Sequence, residues 1–173
     1  MVDMFKASLD TSGWSDAFAV LNGPLKESLA RRMCVEGGVL MRDEAKSQVA
    51  RSQGPYTESS RGSHESGTLE NSIYLVFDQA ASSDTLFTYS VSWNAKQAWW
   101  GKLVEFGWIQ THKVYMGKDG TWYTTKTELA APKHHAAHPF LRPAYDISFP
   151  QLAAVMTARG KRELPILLGS MGQ

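Results

Sequence analysis

Leu21, Leu25, Leu29 and Met33 recur every four residues, and Leu40, Met41, Ala45 and Val49 carry the stripe onward. That period predicts an amphipathic helix from about Pro24 to Ala50. Pro24, after Asn22 and Gly23, suits a first turn because the N–H it lacks is unpaired there anyway. The pair Gly37-Gly38 costs about 1–2 kcal/mol relative to alanine, so it marks a bend or a close approach. The apolar spacing continues beyond it, which favours one bent helix over two.

The period then changes from four to two. Ile73–Phe77 and Thr85–Trp93 read as strands joined by a turn over Asp78–Asp84. Phe87, Tyr89, Val91 and Trp93 alternate with Thr88, Ser90 and Ser92, which predicts one covered and one polar face. Asn94 is placed to cap a helix over Ala95–Phe106, with Ala98, Trp99, Leu103, Val104 and Phe106 as its apolar contacts and Gly107 as its stop. Val114–Met116 and Thr121–Thr127 flank Gly117-Lys118-Asp119-Gly120, a hairpin turn signal, and read as an exposed ribbon. A last helix is expected from Pro143 or Ala144 to Gly160, with the stripe Tyr145, Phe149, Leu152, Val155 and Met156. Pro150 should kink it or reset its start. Pro165–Leu168 reads as a short terminal contact, with Gly169–Gln173 fraying.

Two stretches lack these periods. Residues 1–20 show none that is sustained, and Ser12 or Ser15 is placed to cap a short helix holding Trp14, Phe18 and Leu21. Residues 51–68 are almost without apolar side chains, which predicts a mobile surface loop with a binding role. The expectation is thus one α+β domain over 1–173. An antiparallel sheet packs against a long N-terminal and a C-terminal helix, with the 51–68 loop, a 108–137 ribbon and a 164–173 tail as extensions.

Composition narrows the function classes. The chain has 173 residues, 43% hydrophobic and 20% charged, with net charge +1. That balance is globular, and it argues against a dedicated nucleic-acid binder. Charge is nevertheless uneven. Lys113, Lys118, Lys126, Lys133, Arg142, Arg159, Lys161 and Arg162 face only Asp119, Glu128 and Asp146 within residues 110–162. The single cysteine, Cys34, excludes an intrachain disulfide and fits a reducing compartment. Neither a signal-peptide pattern nor an apolar run long enough for a membrane span is present, so assembly in a cytoplasm is expected.

Candidate chemistry is sparse. His134, His135 and His138 lie close together, and His112, Glu105 or Asp146 would have to complete a zinc site. Pro132 and Pro139 bracket the group against a regular helix and no His-Glu-x-x-His pattern exists, so a polar connection is the simpler reading. Abundant serines without a Gly-x-Ser-x-Gly elbow give no hydrolase site, and Cys34 reads as a small core hydrophobe. Neither a catalytic residue nor a bound cofactor or metal is expected. Lys113, Lys118, Lys126 and Lys133 combined with Tyr115, Trp122 and Tyr123 suit either DNA contact or a protein interface.

Val104-Glu105-Phe106-Gly107 and His138-Pro139-Phe140-Leu141-Arg142-Pro143-Ala144-Tyr145-Asp146 follow Arg42-Asp43-Glu44-Ala45-Lys46 and Ser66-Gly67-Thr68-Leu69-Glu70-Asn71-Ser72-Ile73. This ordered set, spanning roughly Leu25 to Gly160, resembles the HK97 gp10-like family of tailed-phage tail-completion or neck proteins. The resemblance implies a non-enzymatic virion protein that forms a ring of six or twelve copies at the head–tail junction. Its partners would be a head-side adaptor or closure protein and a tail terminator or tube, with packaged DNA passing through the channel and no membrane contact. The insertion from Gln53 to Ser66 and the long connection Trp108–Ala137 depart from the family pattern. Within the motifs, Glu105 and Arg142 are candidates for an ion pair within a subunit or between neighbours, and Phe106 and Phe140 for anchors onto the sheet or onto a neighbour. Pro139 and Pro143 would restrict the approach to the last helix, and Gly107 would permit the turn.

Overall fold

The computed structural model describes residues 5–10, 23–51, 67–118 and 122–169. Its elements are β1 (Phe5–Asp10), α1 (Gly23–Arg51), α2 (Thr68–Asn71), β2 (Ile73–Phe77), β3 (Leu86–Trp93), α3 (Gly101–Phe106), β4 (Trp108–Met116), β5 (Trp122–His135) and α4 (Leu141–Gly169). The fold is α+β, as the change of period predicts. One sheet has the order β1-β3-β2 and the other pairs β4 with β5. The chain divides into two compact units. The first takes residues 1–44, 74–92 and 144–173, and the second 45–73 and 93–143. The expected helix near Trp14, residues 52–66 of the expected 51–68 loop and the last four residues lie outside the described residues.

In the first unit, α1 and α4 cover the three-stranded sheet. Leu29, Ala30, Met33 and Cys34 of α1, Phe87 and Tyr89 of β3, and Met156 and Leu167 of α4 form one buried cluster. Leu25, Leu75, Phe77, Leu152 and Leu164 pack around it. Each fully buried Leu, Met or Phe in such a cluster contributes about 1.5–3 kcal/mol. The glycine pair serves close approach, and α1 runs through it unbroken. A Cβ on Gly37 would meet Met156 at 3.1 Å, and one on Gly38 would meet Leu75 at 2.5 Å. The stripe therefore continues across the pair because neighbouring side chains occupy the space a Cβ would take.

Several expectations are corrected here. Phe5–Asp10 is a strand, antiparallel to β3 in the register Phe5↔Val91 to Asp10↔Leu86. Its alternation of Phe5, Ala7 and Leu9 with Lys6, Ser8 and Asp10 was the available signal, weak because it lasts only six residues. β3 is the central strand and is buried on both faces, not one. The turn after β2 also folds back on it, with Thr88 N–H donating to Ser82 Oγ at 3.0 Å and Thr88 Oγ1 to the Ala81 carbonyl at 2.9 Å.

α4 begins earlier than expected and continues past Gly160 through Pro165 to Gly169. Phe149 of the expected stripe is exposed, whereas Ser148, Met156, Gly160, Glu163 and Leu167 are buried. The extra turns are held by charge as well as packing. Glu163 accepts from Arg32 of α1 and from Arg159 (2.9 Å), while Glu36 of α1 meets Arg159 (3.5 Å) and Arg162 (3.2 Å). This network joins residues more than a hundred positions apart, beyond the reach of sequence periodicity. Glu163 is its most buried member, so removing it leaves Arg32 without a carboxylate and Arg159 with Glu36 alone. Because Arg32 and Arg159 are partly exposed, solvent screens part of that cost. Glu163→Ala should destabilise by about 2 kcal/mol in urea unfolding; an unchanged midpoint would show the network to be energetically idle.

In the second unit, Leu69, Ser72, Ile73, Trp93, Ala98, Phe140 and Leu141 are buried. Phe140 meets Trp93 edge-on, with centroids 5.8 Å apart and planes at 72°. The helix expected over Ala95–Phe106 forms only from Gly101. Asn94 Oδ1 does accept from Lys96 N–H at 3.0 Å, but the segment up to Trp100 is a series of turns. A Cβ on Gly101 would lie 2.5 Å from Trp93 Nε1, so the chain passes directly against the indole.

Candidate assembly surface

The Val104–Gly107 segment and the approach to α4 meet in the second unit. α4 starts at Leu141 without a side chain of its own able to cap it, since Phe140 precedes it. The first backbone donors of a helix have no intrahelical acceptor. Here Glu105, 4% exposed, reaches across from α3. Its Oε2 accepts from the N–H of Phe140 at 2.7 Å and of Leu141 at 2.9 Å, and its Oε1 from the N–H of Arg142 at 3.2 Å. The next residue is Pro143, which has no N–H to satisfy. A negative charge at this end is also favoured by the helix dipole. Within the chain, Glu105 therefore uses the backbone of Arg142, whose side chain is exposed, in place of the ion pair expected there.

Gly107 turns the chain from α3 into β4 with φ 70° and ψ −179°, a conformation that essentially only glycine adopts. The end of β5 packs on it, and a Cβ there would lie 2.6 Å from the His135 carbonyl and 2.9 Å from Ala137 N. His138 N–H then donates to the Val104 carbonyl at 2.7 Å. Of the two expected anchors, Phe140 is fully buried and Phe106 is exposed. Pro139 and Pro143 are half-buried beside them.

From this base rises the ribbon. β4 and β5 pair antiparallel from Trp108↔His135 to Met116↔Trp122, longer than the turn signal alone predicts. Two register shifts, between Gln110 and His112 and between His112 and Val114, absorb extra residues of β5. Pro132, which has no N–H for a ladder, lies in the first of them. At the base, Trp108 stacks on His135 with centroids 3.9 Å apart and planes at 1°. Gln110 Oε1 lies 3.3 Å from His135 Nε2. Further out, Tyr115 and Tyr123 pair directly and stack at 5.6 Å. Residues 119–121 and the Trp122 side chain lie outside the described set.

The ribbon exposes large apolar side chains in unusual number. Ile109 is 56%, Tyr115 54% and Met116 58% exposed, with Trp108, Val114 and Tyr123 close to 40%. Large apolar side chains exposed in this number favour an interaction surface. Lys113, Lys118, Lys126 and Lys133 are exposed as well, and among the described residues none is paired with a carboxylate.

The histidines do not converge. His134 and His135 are consecutive on β5 and point to opposite faces. Among the described residues no group of three or more His, Cys, Asp or Glu side chains is placed to hold a metal ion. No helix of the described residues is long and apolar enough to cross a membrane. Burial, then the charge of Lys133, lowers the affinity of the His135 imidazole for a proton below its ordinary value of 6.5. The folded state therefore favours neutral His135. Its contribution is complete above about pH 6.5 and is lost as pH falls from there through the lowered folded value. The thermal midpoint should drop over that window, and His135→Gln should flatten the drop; identical pH profiles would contradict the assignment.

No family model, no curated protein and no solved structure matches the chain.

Proposed function

We propose that this chain is a structural ring subunit of a tailed-phage neck, completing the tail and joining it to the head around a channel for DNA. The observation that carries the self-assembly part is the exposed apolar ribbon standing on a buried, hydrogen-bonded base. Such a surface gains stability when a protein partner covers it, at about 25 cal/mol per Å² of apolar area. The place in the neck rests on the ordered motifs from Arg42 to Asp146 described above. Six or twelve copies would meet head to tail, so that each presents two different surfaces and the rotation closes. A head-side adaptor or closure protein and a tail terminator or tube would contact the two rims. Electron microscopy of the purified chain and of virions carrying it tests this reading. Closed rings at the junction are expected; a chain that remains monomeric and absent from virions overturns it.

A second reading has its own observation. The four lysines of 113–133, unpaired among the described residues and interleaved with Tyr115 and Tyr123, offer phosphate contact and stacking, as an accessory DNA-binding module would. Tight binding of the isolated chain to duplex DNA, falling steeply with salt, would favour that reading over the ring.

A further inference from the structure

A free sheet edge is a hazard that proteins usually blunt with charge or proline. The two edges of the β1-β3-β2 sheet are unlike in this respect. β1 carries Lys6 and Asp10 within its six residues. β2 is Ile73-Tyr74-Leu75-Val76-Phe77, five apolar residues without a charge or a proline. Among the described residues no strand pairs with the outer side of β2. Leu75 and Phe77 turn toward the core, whereas Tyr74 and Val76 are exposed. This edge is built to be covered.

The ribbon carries a matching element. Val114-Tyr115-Met116 of β4 is an exposed apolar stretch at the outer end of a two-stranded sheet, and β4 pairs on one side only. Its charge brackets are the reverse of those of β2. Lys113 precedes it and Lys118 follows it, whereas Glu70 precedes β2 and Asp78 and Asp84 follow it. Two apolar strands, one framed by lysines and one by carboxylates, are complementary in either strand direction. Nucleic acid would use the lysines but gain nothing from Val114 and Met116, so a protein strand accounts for more of the surface.

We infer that β4 of one copy adds as a fourth strand to the outer edge of β2 in the next copy, Val114–Met116 running beside Tyr74–Val76. This rests on the ring reading and gives it an interface. The contact is heterologous: donor and acceptor are different surfaces of one chain, so repetition produces a closed ring or a filament. A five-residue strand addition buries less than the ~800 Å² per partner of a stable pair. Closure must therefore supply the rest, and assembly rises steeply with concentration.

The test uses the full chain in sedimentation velocity across a concentration series, with Val76→Lys, Tyr74→Lys and Met116→Glu variants. All three positions are exposed, and each substitution sets like charges opposite one another in the proposed pair. Each should raise the concentration needed for assembly at least about tenfold, which is 1.4 kcal/mol, with unchanged far-UV circular dichroism. Tyr74→Lys keeps the acceptor edge testable if Val76→Lys folds poorly. Val76→Cys combined with Val114→Cys (antiparallel pairing) or with Met116→Cys (parallel pairing), positions on one face of the proposed pair, should give a ladder of covalent multimers on oxidation. The two single-cysteine chains, mixed, should stop at dimers. If the wild-type chain assembles and the variants assemble equally well, this interface is wrong and the ring reading stands. If only the β2 variants block assembly, a strand other than β4 occupies the edge and the inference is overturned. If the wild-type chain forms no assembly at any concentration, the ring reading fails and takes this interface with it.

Discussion

Glu105→Ala is expected to lower the unfolding free energy by about 3 kcal/mol. Its carboxylate is the acceptor for three consecutive backbone donors at the start of α4. Loss of an ordinary N-cap costs about 0.5–2 kcal/mol, and hydrogen bonds to a charged acceptor are worth about 1.5–3 kcal/mol each. The site is buried, so water replaces the lost acceptor only in part. Glu105→Gln keeps one acceptor oxygen without the charge and should lose about half as much. Arg142→Ala is the control, expected to stay within about 0.5 kcal/mol because that side chain is exposed. Urea unfolding followed by tryptophan fluorescence reads all three. Equal losses for Glu105→Ala and Arg142→Ala would restore the ion pair in place of the backbone cap.

Gly107→Ala should cost about 3 kcal/mol by a different route. The strain of a non-glycine residue at φ 70° and ψ −179° is on the order of 1–3 kcal/mol. To this is added a Cβ placed 2.6 Å from the His135 carbonyl, which is backbone and cannot rotate aside. The end of β5 must then lift from the α3–β4 turn. Faster amide exchange at His138, whose N–H bonds the Val104 carbonyl, is the local signature. A variant within about 1 kcal/mol of wild type, with unchanged exchange at His138, would show that this turn tolerates a side chain.

Both effects arise in the Val104–Gly107 motif, and they divide the candidate residues into two kinds. Glu105, Gly107, Phe140 and Pro143 hold the second unit together internally, as their burial, backbone conformation and hydrogen bonds show. Phe106, Tyr115 and Tyr123 are exposed and available to a partner. The sequence pattern singled out both kinds without separating them. Nothing in the order of residues tells a buried carboxylate from one at an interface, because the distinction lies in what surrounds it.

Local periodicity alone determined a good deal. The four-residue stripe from Leu25 to Val49 makes α1, and it survives Gly37-Gly38 because a helix needs only near-neighbour hydrogen bonds and one apolar face. The runs Ile73–Phe77 and Thr85–Trp93, and the strands flanking Gly117–Gly120, were legible for the same reason. What tertiary structure decided was every feature whose cause lies far along the chain. β3 is a central strand because β1, some eighty residues earlier, pairs with its free edge. α4 passes Gly160 because Glu163 and Leu167 find α1. Its first turn is capped by Glu105, thirty-five residues upstream, in place of a neighbouring serine or aspartate. Hydrogen-bond and packing partners at such separations leave no period in the sequence, since any residue of the right chemistry, wherever it stands, can supply them once the chain has folded.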